Sequence, residues 1–557
     1  MNLKSSVAKL LSKELNIPEQ DLLGLIEIPP QVSMGDFSFP CFSLTKSMKK
    51  SPVEISKSVS EKIVLKNKDV FLKVVPIGPY INFYVKPEAL AESVINKKLN
   101  YAKKNEVIMV EFSQPNTHKE FHVGHLRNLC LGDSIVRINK STGNKVIAVN
   151  YIGDIGTHVA KTLWCLKNKH SNDVLPKNKG KYLGQIYVEA NKLIEGDQKI
   201  KEEVSKILQD LEERKPEITK LWKETREWSL NEFKEIYSDL DVNFDKYYFE
   251  SEEDAPSKKI AKELLKNKIA EESEGAVIVN LESFDLGVAV ILKSDGTTLY
   301  LTKDLSLGQK KFVDYNLDKS IYVVDSRQSM HLKQVFKILE LMGFKKEMIH
   351  VSYEFVSTDK GPISSRTGNT YLYEDIKEKL VKKLVDETKK RHPDWDEKKV
   401  VQNANLIMKA ALKFGMLKYD NNKEIIFSED KWLDVEGETG PYVAYSYARV
   451  NSILKKVEKT KSKPNLSLLN TEEDKLLLRS IELSHEIILE AARNNKPSII
   501  ARHVLDLCQK SNEYYHKHQV LKAENNVKNA RIVLLKKVAE TIKEEMFLLG
   551  IQLPEEM

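Results

Sequence analysis

Residues 113–127 read Ser-Gln-Pro-Asn-Thr-His-Lys-Glu-Phe-His-Val-Gly-His-Leu-Arg. An apolar run at 107–112 precedes them, and a helix-like stretch at 126–139 follows. A strand, a polar loop and a helix start is the layout of a nucleotide phosphate site. His122 and His125 lie three apart and, at helical spacing, face the same side. Gly124 between them lets a flat ring or a phosphate approach the backbone. Both histidines can donate hydrogen bonds to phosphate oxygens, and Lys119 adds a full charge nearby. The competing reading is that the two histidines only cap a helix. The stretch matches neither the G-x-G-x-x-G fingerprint nor the P-loop lysine motif.

Working outward, residues 105 to about 360 alternate strand and helix signals. Strands are expected at 107–112, 145–151, 276–281, 287–292, 298–302, 320–324 and 349–355. Ser294-Asp-Gly-Thr297 is a hairpin turn signal. This pattern predicts an α/β domain built on a doubly wound parallel sheet. A charged helical stretch at about 160–270 reads as an insertion between its halves. Residues 1–104 mix helices with short strands, and 77–85 alternates like one half-buried strand. From about 375 the chain reads as almost wholly helical.

A chain of 557 residues is too long for one core, and about three or four domains are expected. With 41% hydrophobic and 30% charged residues, it suits a soluble protein. The apolar runs are too short to span a membrane, and residues 1–15 do not read as a secretory signal. A cytoplasmic protein is expected. The net charge of +7 fits an anionic partner such as nucleic acid, and equally a lysine-rich solvated surface. Cys41, Cys130, Cys165 and Cys508 show no C-x-x-C spacing, so neither zinc nor a disulfide framework is expected.

The His122-Val-Gly-His125 element resembles the "HIGH" motif of class I aminoacyl-tRNA synthetases, and the whole 113–127 stretch resembles the arginyl enzymes. The resemblance implies a Rossmann-like catalytic domain at 105–374 and an N-terminal α+β domain at 1–104 that touches the tRNA elbow. It also implies a helical connecting region at 375–437 and an all-α anticodon-binding domain at 438–557. The substrates would be L-arginine, ATP with Mg2+, and tRNA(Arg), and the usual form of the family is a monomer. Lys119, His122 and His125 would be the catalytic group.

The second class I element, "KMSKS", falls on Lys360-Gly-Pro-Ile-Ser-Ser-Arg-Thr-Gly368, where Pro362 and Ser365 replace its lysines. In this family a lysine ahead of the HIGH motif takes over, and Lys119 stands there. His122, Gly124, His125, His331, Ser364, Ser365 and Arg366 are the residues expected at ATP.

Selecting a guanidinium requires a carboxylate and an aromatic face. The run Thr298-Leu-Tyr-Leu-Thr-Lys-Asp304 offers both, with Tyr300 and Asp304 flanking an expected strand end. The resemblance places arginine on Glu111, Asn116, Tyr300, Asp304 and Gln328. The similar stretch Asn150-Tyr-Ile-Gly-Asp-Ile-Gly-Thr-His158 would form pocket wall, with Asp154 toward the substrate amine. Bases are read by stacking on aromatic side chains. The resemblance carries tRNA contacts onto Tyr80, Asn82, Tyr442, Tyr445, Tyr515 and Met557. Two rivals stand beside an arginine–tRNA ligase: a nucleotidyl-transferring enzyme without RNA, and a catalytically inactive tRNA-binding relative.

Overall fold

A computed structural model describes residues 3–29, 31–63, 65, 70–96, 101–358, 361–362, 371–457 and 463–557. The N-terminal unit packs helices Leu3–Leu15, Pro52–Lys62 and Pro87–Ile95 around a three-stranded antiparallel sheet. Its strands are β1 (Phe37–Pro40), β2 (Phe71–Ile77) and β3 (Tyr80–Val85), in the order β1-β3-β2. The alternating run at 77–85 is therefore two strands, not one. Gly78, at φ +57°, takes the left-handed conformation that the hairpin turn needs.

The central sheet contains β4 (Val107–Glu111), β5 (Lys145–Ile152), β6 (Lys246–Phe249), β10 (Lys319–Asp325) and β11 (Glu347–Tyr353). All are parallel, in the order β11-β10-β4-β5-β6. The order reverses at β4, so the crevice beyond the carboxyl ends of β4 and β10 is the switch point where doubly wound sheets bind ligands. Helix Val123–Ser141 follows β4 and buries Leu126, Leu129 and Ile135. Its Arg127 is 2% exposed and donates to the carbonyls of Phe355 (3.3 Å) and Asn421 (3.1 Å).

Three expected strands fall elsewhere. Residues 276–281 and 287–292 form β8 (Ala276–Asn280) and β9 (Val288–Leu292), which pair antiparallel with β7 (Glu271–Ser273) in a separate small sheet. Residues 298–302 open helix Tyr300–Tyr315, whose inward positions Leu301, Leu305 and Phe312 follow a helical period. Conversely, the stretch read as an insertion contains β6, the edge strand of the main sheet. The helices before it, Thr157–Lys169, Lys179–Ile194, Gln198–Glu212 and Pro216–Asp239, enclose a core of their own around Leu163, Trp164, Leu183 and Trp222.

Beyond the sheet, β12 (Val356–Thr358), β13 (Gly361–Pro362) and β14 (Ile425–Phe427) make a short ladder. Helices Tyr373–Arg391 and Glu397–Leu417 lead into the bundle Gly440–Lys455, Glu472–Asn494, Ser498–Lys517 and Asn525–Leu548. The N-terminal unit docks on this bundle through Arg479 and Asp36 (2.8 Å) and through the stacked rings of Tyr101 and His485.

Candidate active site

The crevice at the switch point is a cleft of about 640 Å³. Of the residues expected at a ligand, Glu111, Asn116, His125, Tyr300, Asp304, Gln328 and His331 all line it. They arrive from the end of β4, the 113–122 loop, the first turn of helix Tyr300–Tyr315 and the start of helix Ser329–Leu341. Tyr300 and Asp304 stand one helical turn apart, on one face. Tyr300 is 65% exposed, so its ring is free to cover a ligand.

The loop feeding the cleft is strained. Ser113 (φ +75°), Gln114 (φ +48°) and His118 (φ +62°) are all left-handed without being glycine. Polar anchors hold them. Ser113 N–H donates to Asn128 Oδ1 (2.6 Å), and Asn128 donates in turn to Tyr353 (3.0 Å) and the Val323 carbonyl (2.9 Å). His118 is fully buried against Thr117 (2.9 Å) and Thr225 (2.8 Å), and its own N–H donates to Ser229 (2.9 Å). The loop thus leans on helix Pro216–Asp239 of the insertion.

His122 and His125 do cap their helix. Gly124 N–H donates to His122 Nδ1 (3.1 Å), and His122 N–H donates to His125 Nδ1 (3.2 Å). Their rings stack at 3.9 Å. Capping does not compete with phosphate binding, because it uses only one nitrogen per ring. A ring that accepts at Nδ1 while neutral carries its proton on Nε2, which remains a donor. Both rings are held neutral. Burial, then the Lys119 charge, bring His122 down to about 4. Burial and the neighbouring His122 and Lys119 put His125 well below the usual range. The cation of the group is therefore Lys119, whose Nζ lies 5.3 Å from the Tyr187 ring centroid. Neither Lys119 nor His122 is part of the cleft wall.

The charges in the cleft are unevenly paired. Glu111, 4% exposed, is ion-paired with the buried Lys311 and accepts from Gln114 (3.0 Å). Burial works against the Lys311 charge, but the Glu111 carboxylate beside it prevails, and the lysine pKa is raised. Among the described residues, Asp304 forms its ion pair with His331 (2.6 Å). His331, expected on the ATP side, thus sits at the proposed arginine carboxylate. Asp154 is fully buried, bound by Arg226 (2.9 Å) and by the Ser251 amide (2.9 Å) and hydroxyl (2.7 Å). It ties the insertion to the sheet and does not line the cleft where a substrate amine would sit.

Sequence reasoning did not single out Glu250 or Lys311, and reached Tyr151 only as part of the 150–158 stretch expected in the wall. Glu250 follows β6 and lines the cleft with Tyr151 and Asp304. Its pKa is raised by burial, while Lys303 at 3.0 Å draws it down. Tyr151 lies among the carboxylates of Asp304, Glu250 and Glu111. Together with Lys311, these surround an acidic, aromatic pocket. The available signal was Tyr247-Tyr-Phe-Glu250, a short aromatic strand ending in a carboxylate.

Among the residues expected at RNA, Tyr442, Tyr445 and Tyr515 come together around Arg449. Its guanidinium lies 5.1 Å from the Tyr445 ring and 5.2 Å from the Tyr515 ring, and Asn512 joins it to Tyr442. Tyr80 meets the exposed Phe42 edge-on at 5.9 Å. Asn82 differs from the expectation: at 3% exposure its amide is turned into the N-terminal unit and cannot face a partner as placed. Met557 sits in a small cavity with Arg391, His392 and Leu433. Ser364, Ser365 and Arg366 lie outside the described residues. Cys165, His170 and Glu189 converge within 4.8 Å in the insertion, where His170 already bonds Asp173 and Glu189.

A parallel sheet reversing at β4, with an H-x-G-H helix start over the crevice, defines the catalytic fold of a class I aminoacyl-tRNA synthetase. Residues 87–429 match the family described as tRNA synthetases class I (R), catalytic domain. Residues 1–85 match the arginyl tRNA synthetase N terminal domain, and 443–557 the DALR anticodon binding domain. The chain is 38% identical to the arginine–tRNA ligase of Bdellovibrio bacteriovorus, over 98% of this chain and 96% of that protein. It is 35% identical to that of Halothermothrix orenii over the full length of both. The solved arginyl-tRNA synthetase of Thermus thermophilus superposes with a TM-score of 0.85 at 26% identity, covering 100% of this chain and 99% of that one. The chain belongs to the arginyl-tRNA synthetase family.

Proposed function

We propose that the cleft activates L-arginine with MgATP and that the chain then passes the arginyl group to the 3′ end of tRNA(Arg), as an arginine–tRNA ligase. One observation carries this reading: an acidic, aromatic pocket shares its cleft with His125 of the capped H-x-G-H helix start. The guanidinium lies between Asp304 and Glu250, with Tyr300 over its face and Gln328 beside it. Glu111, neutralised by Lys311, orients Gln114 and the strand end, and Asn116 closes the same wall.

Adenylate formation is in-line attack of the arginine carboxylate on the α-phosphate, with pyrophosphate departing. His122 and His125 donate Nε2–H to phosphate oxygens as neutral groups, Gly124 permits close approach, and Lys119 neutralises developing charge. Ser364, Ser365 and Arg366 complete the phosphate side from the 360–368 loop. His331 holds Asp304 in place rather than touching ATP. Mg2+ arrives on the ATP phosphates.

Domains at 1–104, 105–374, 375–437 and 438–557 serve the tRNA elbow, the chemistry, the acceptor stem and the anticodon. Tyr442, Tyr445 and Tyr515 form the base-stacking platform with Arg449, Tyr80 and Phe42 offer a smaller one, and Met557 contributes from its cavity edge. The chain acts as a monomer in the cytoplasm. Among the described residues no helix is long and apolar enough to cross a membrane.

Arginine-dependent ATP–pyrophosphate exchange, with and without tRNA(Arg), tests this reading. Exchange with arginine and not with lysine is expected. No exchange under either condition would leave an inactive tRNA-binding relative, and exchange with no aminoacylation of any tRNA would leave the RNA-free enzyme.

A further inference from the structure

The strained loop is gripped from outside the catalytic sheet. His118 is held by Thr225 and Ser229 of helix Pro216–Asp239. Glu120 is covered by helix Lys179–Ile194 at Gly184, where a Cβ would fall 2.0 Å from its Cγ. One turn earlier, a Cβ at Gly180 would fall 2.4 Å from Glu232 Oε2. Lys181 of the same helix pairs with Asp375 (2.8 Å), two residues into helix Tyr373–Arg391, just after the second loop. About one turn beyond Gly184 lies Tyr187, 5% exposed, with its ring centroid 5.3 Å from Lys119 Nζ. An ammonium within about 6 Å of a ring centroid is attracted by the ring quadrupole, more strongly where water is excluded. The Lys119 charge also reaches the other way, helping to hold His122, His125 and His158 low.

We infer that helix Lys179–Ile194 of the insertion is a positioning element for the reaction, and that Tyr187 is the positioning residue that holds the Lys119 ammonium toward the phosphates. The helix is brought against the loop at Gly184 and against helix Pro216–Asp239 at Gly180, and its first turn is fixed by Lys181–Asp375. Tyr187 touches no substrate. Its ring narrows the range of positions open to the Lys119 ammonium, so that the charge is in place when the pyrophosphate leaves. This inference rests on the assignment of Lys119 to the phosphate side.

The test is pyrophosphate exchange with the full chain and tRNA(Arg), comparing native protein, Lys119→Ala, Tyr187→Leu, Tyr187→Phe and the Lys119→Ala/Tyr187→Leu double variant. Tyr187→Leu should lower kcat about tenfold while the KM for arginine stays within about twofold. Tyr187→Phe, which keeps the ring, should restore kcat. The double variant should be no slower than Lys119→Ala alone. If Tyr187→Leu lowers the melting temperature, Tyr187→Met, whose flexible side chain fills irregular gaps without a ring, takes its place. Native kcat in the variant without the ring, or additive losses in the double variant, overturns the inference and leaves the role of Lys119 intact. Native kcat in Lys119→Ala removes the assignment of Lys119 and this inference with it.

Discussion

At the scale of single residues, the cleft separates carboxylates that look alike in the sequence. Glu111 already has a buried ammonium beside it, whereas Asp304 has only an imidazole. The guanidinium should therefore depend on Asp304 more than on its distance to Glu111. Asp304→Asn is expected to raise the KM for arginine by about 2 kcal/mol, from loss of a charge-assisted bond. Steady-state exchange kinetics check this, and an unchanged KM would take Asp304 out of the pocket. Part of this detail was legible. Residues four apart share a face both in a strand and in a helix, so pairing Tyr300 with Asp304 needed no decision about the element. The tautomers of His122 and His125 were not legible, since they follow from backbone amides that only the folded turn supplies. Asp154 was misread for a similar reason: its partners Arg226 and Ser251 lie 72 and 97 residues away.

At the scale of elements, two misreadings have separate causes. Thr298-Leu-Tyr-Leu-Thr302 is composed of strand formers, but local preference lost to packing: Leu301, Leu305 and Phe312 bury a helical stripe. Strand β6 has four residues at a sheet edge after a long charged stretch, too short for its alternation to register. The close helix crossing at Gly180 also carries a titration. Burial, then the Glu120 and Glu374 carboxylates, raise Glu232 to about 8, against 4.5 when unperturbed. The folded chain thus keeps a proton that the unfolded chain releases. The associated stability is present below about pH 4.5 and is lost as pH rises through about 8. Glu232→Gln should melt like the native protein near pH 5 and be more stable than it near pH 9, by on the order of 2 kcal/mol. Equal melting temperatures at the higher pH would show that Glu232 is not burdened by its charge.

At the scale of the whole molecule, the N-terminal unit docks on the C-terminal bundle, and the proposed RNA platform lies far along the chain from the cleft. The general order of these parts was legible from periodicity, but their docking was not, because contacts such as Arg479–Asp36 span 443 residues. Tyr515→Ala should weaken charging of tRNA(Arg) by about 1–3 kcal/mol through lost stacking, with exchange at saturating tRNA little changed. Equal loss with a transcript of altered anticodon would make Tyr515 structural. The neutral imidazoles have a broader effect. The chain has twelve histidines, and four of them, His118, His122, His125 and His158, crowd the same loop. Burial draws His118 to about 3 and His122 to about 4, and puts His125 and His158 well below 6.5. For groups lowered in this way, the unfolded chain takes up protons first. Their contribution to stability is whole above about pH 6.5 and drains away as pH falls toward 4. Melting temperature and exchange activity should decline together over that window, and a flat melting profile would refute this. Because protonating Nδ1 of His122 also removes the acceptor of its helix cap, acid near pH 4 should fray the start of helix Val123–Ser141 before the helical bundle, making buffer pH a direct handle on active-site integrity.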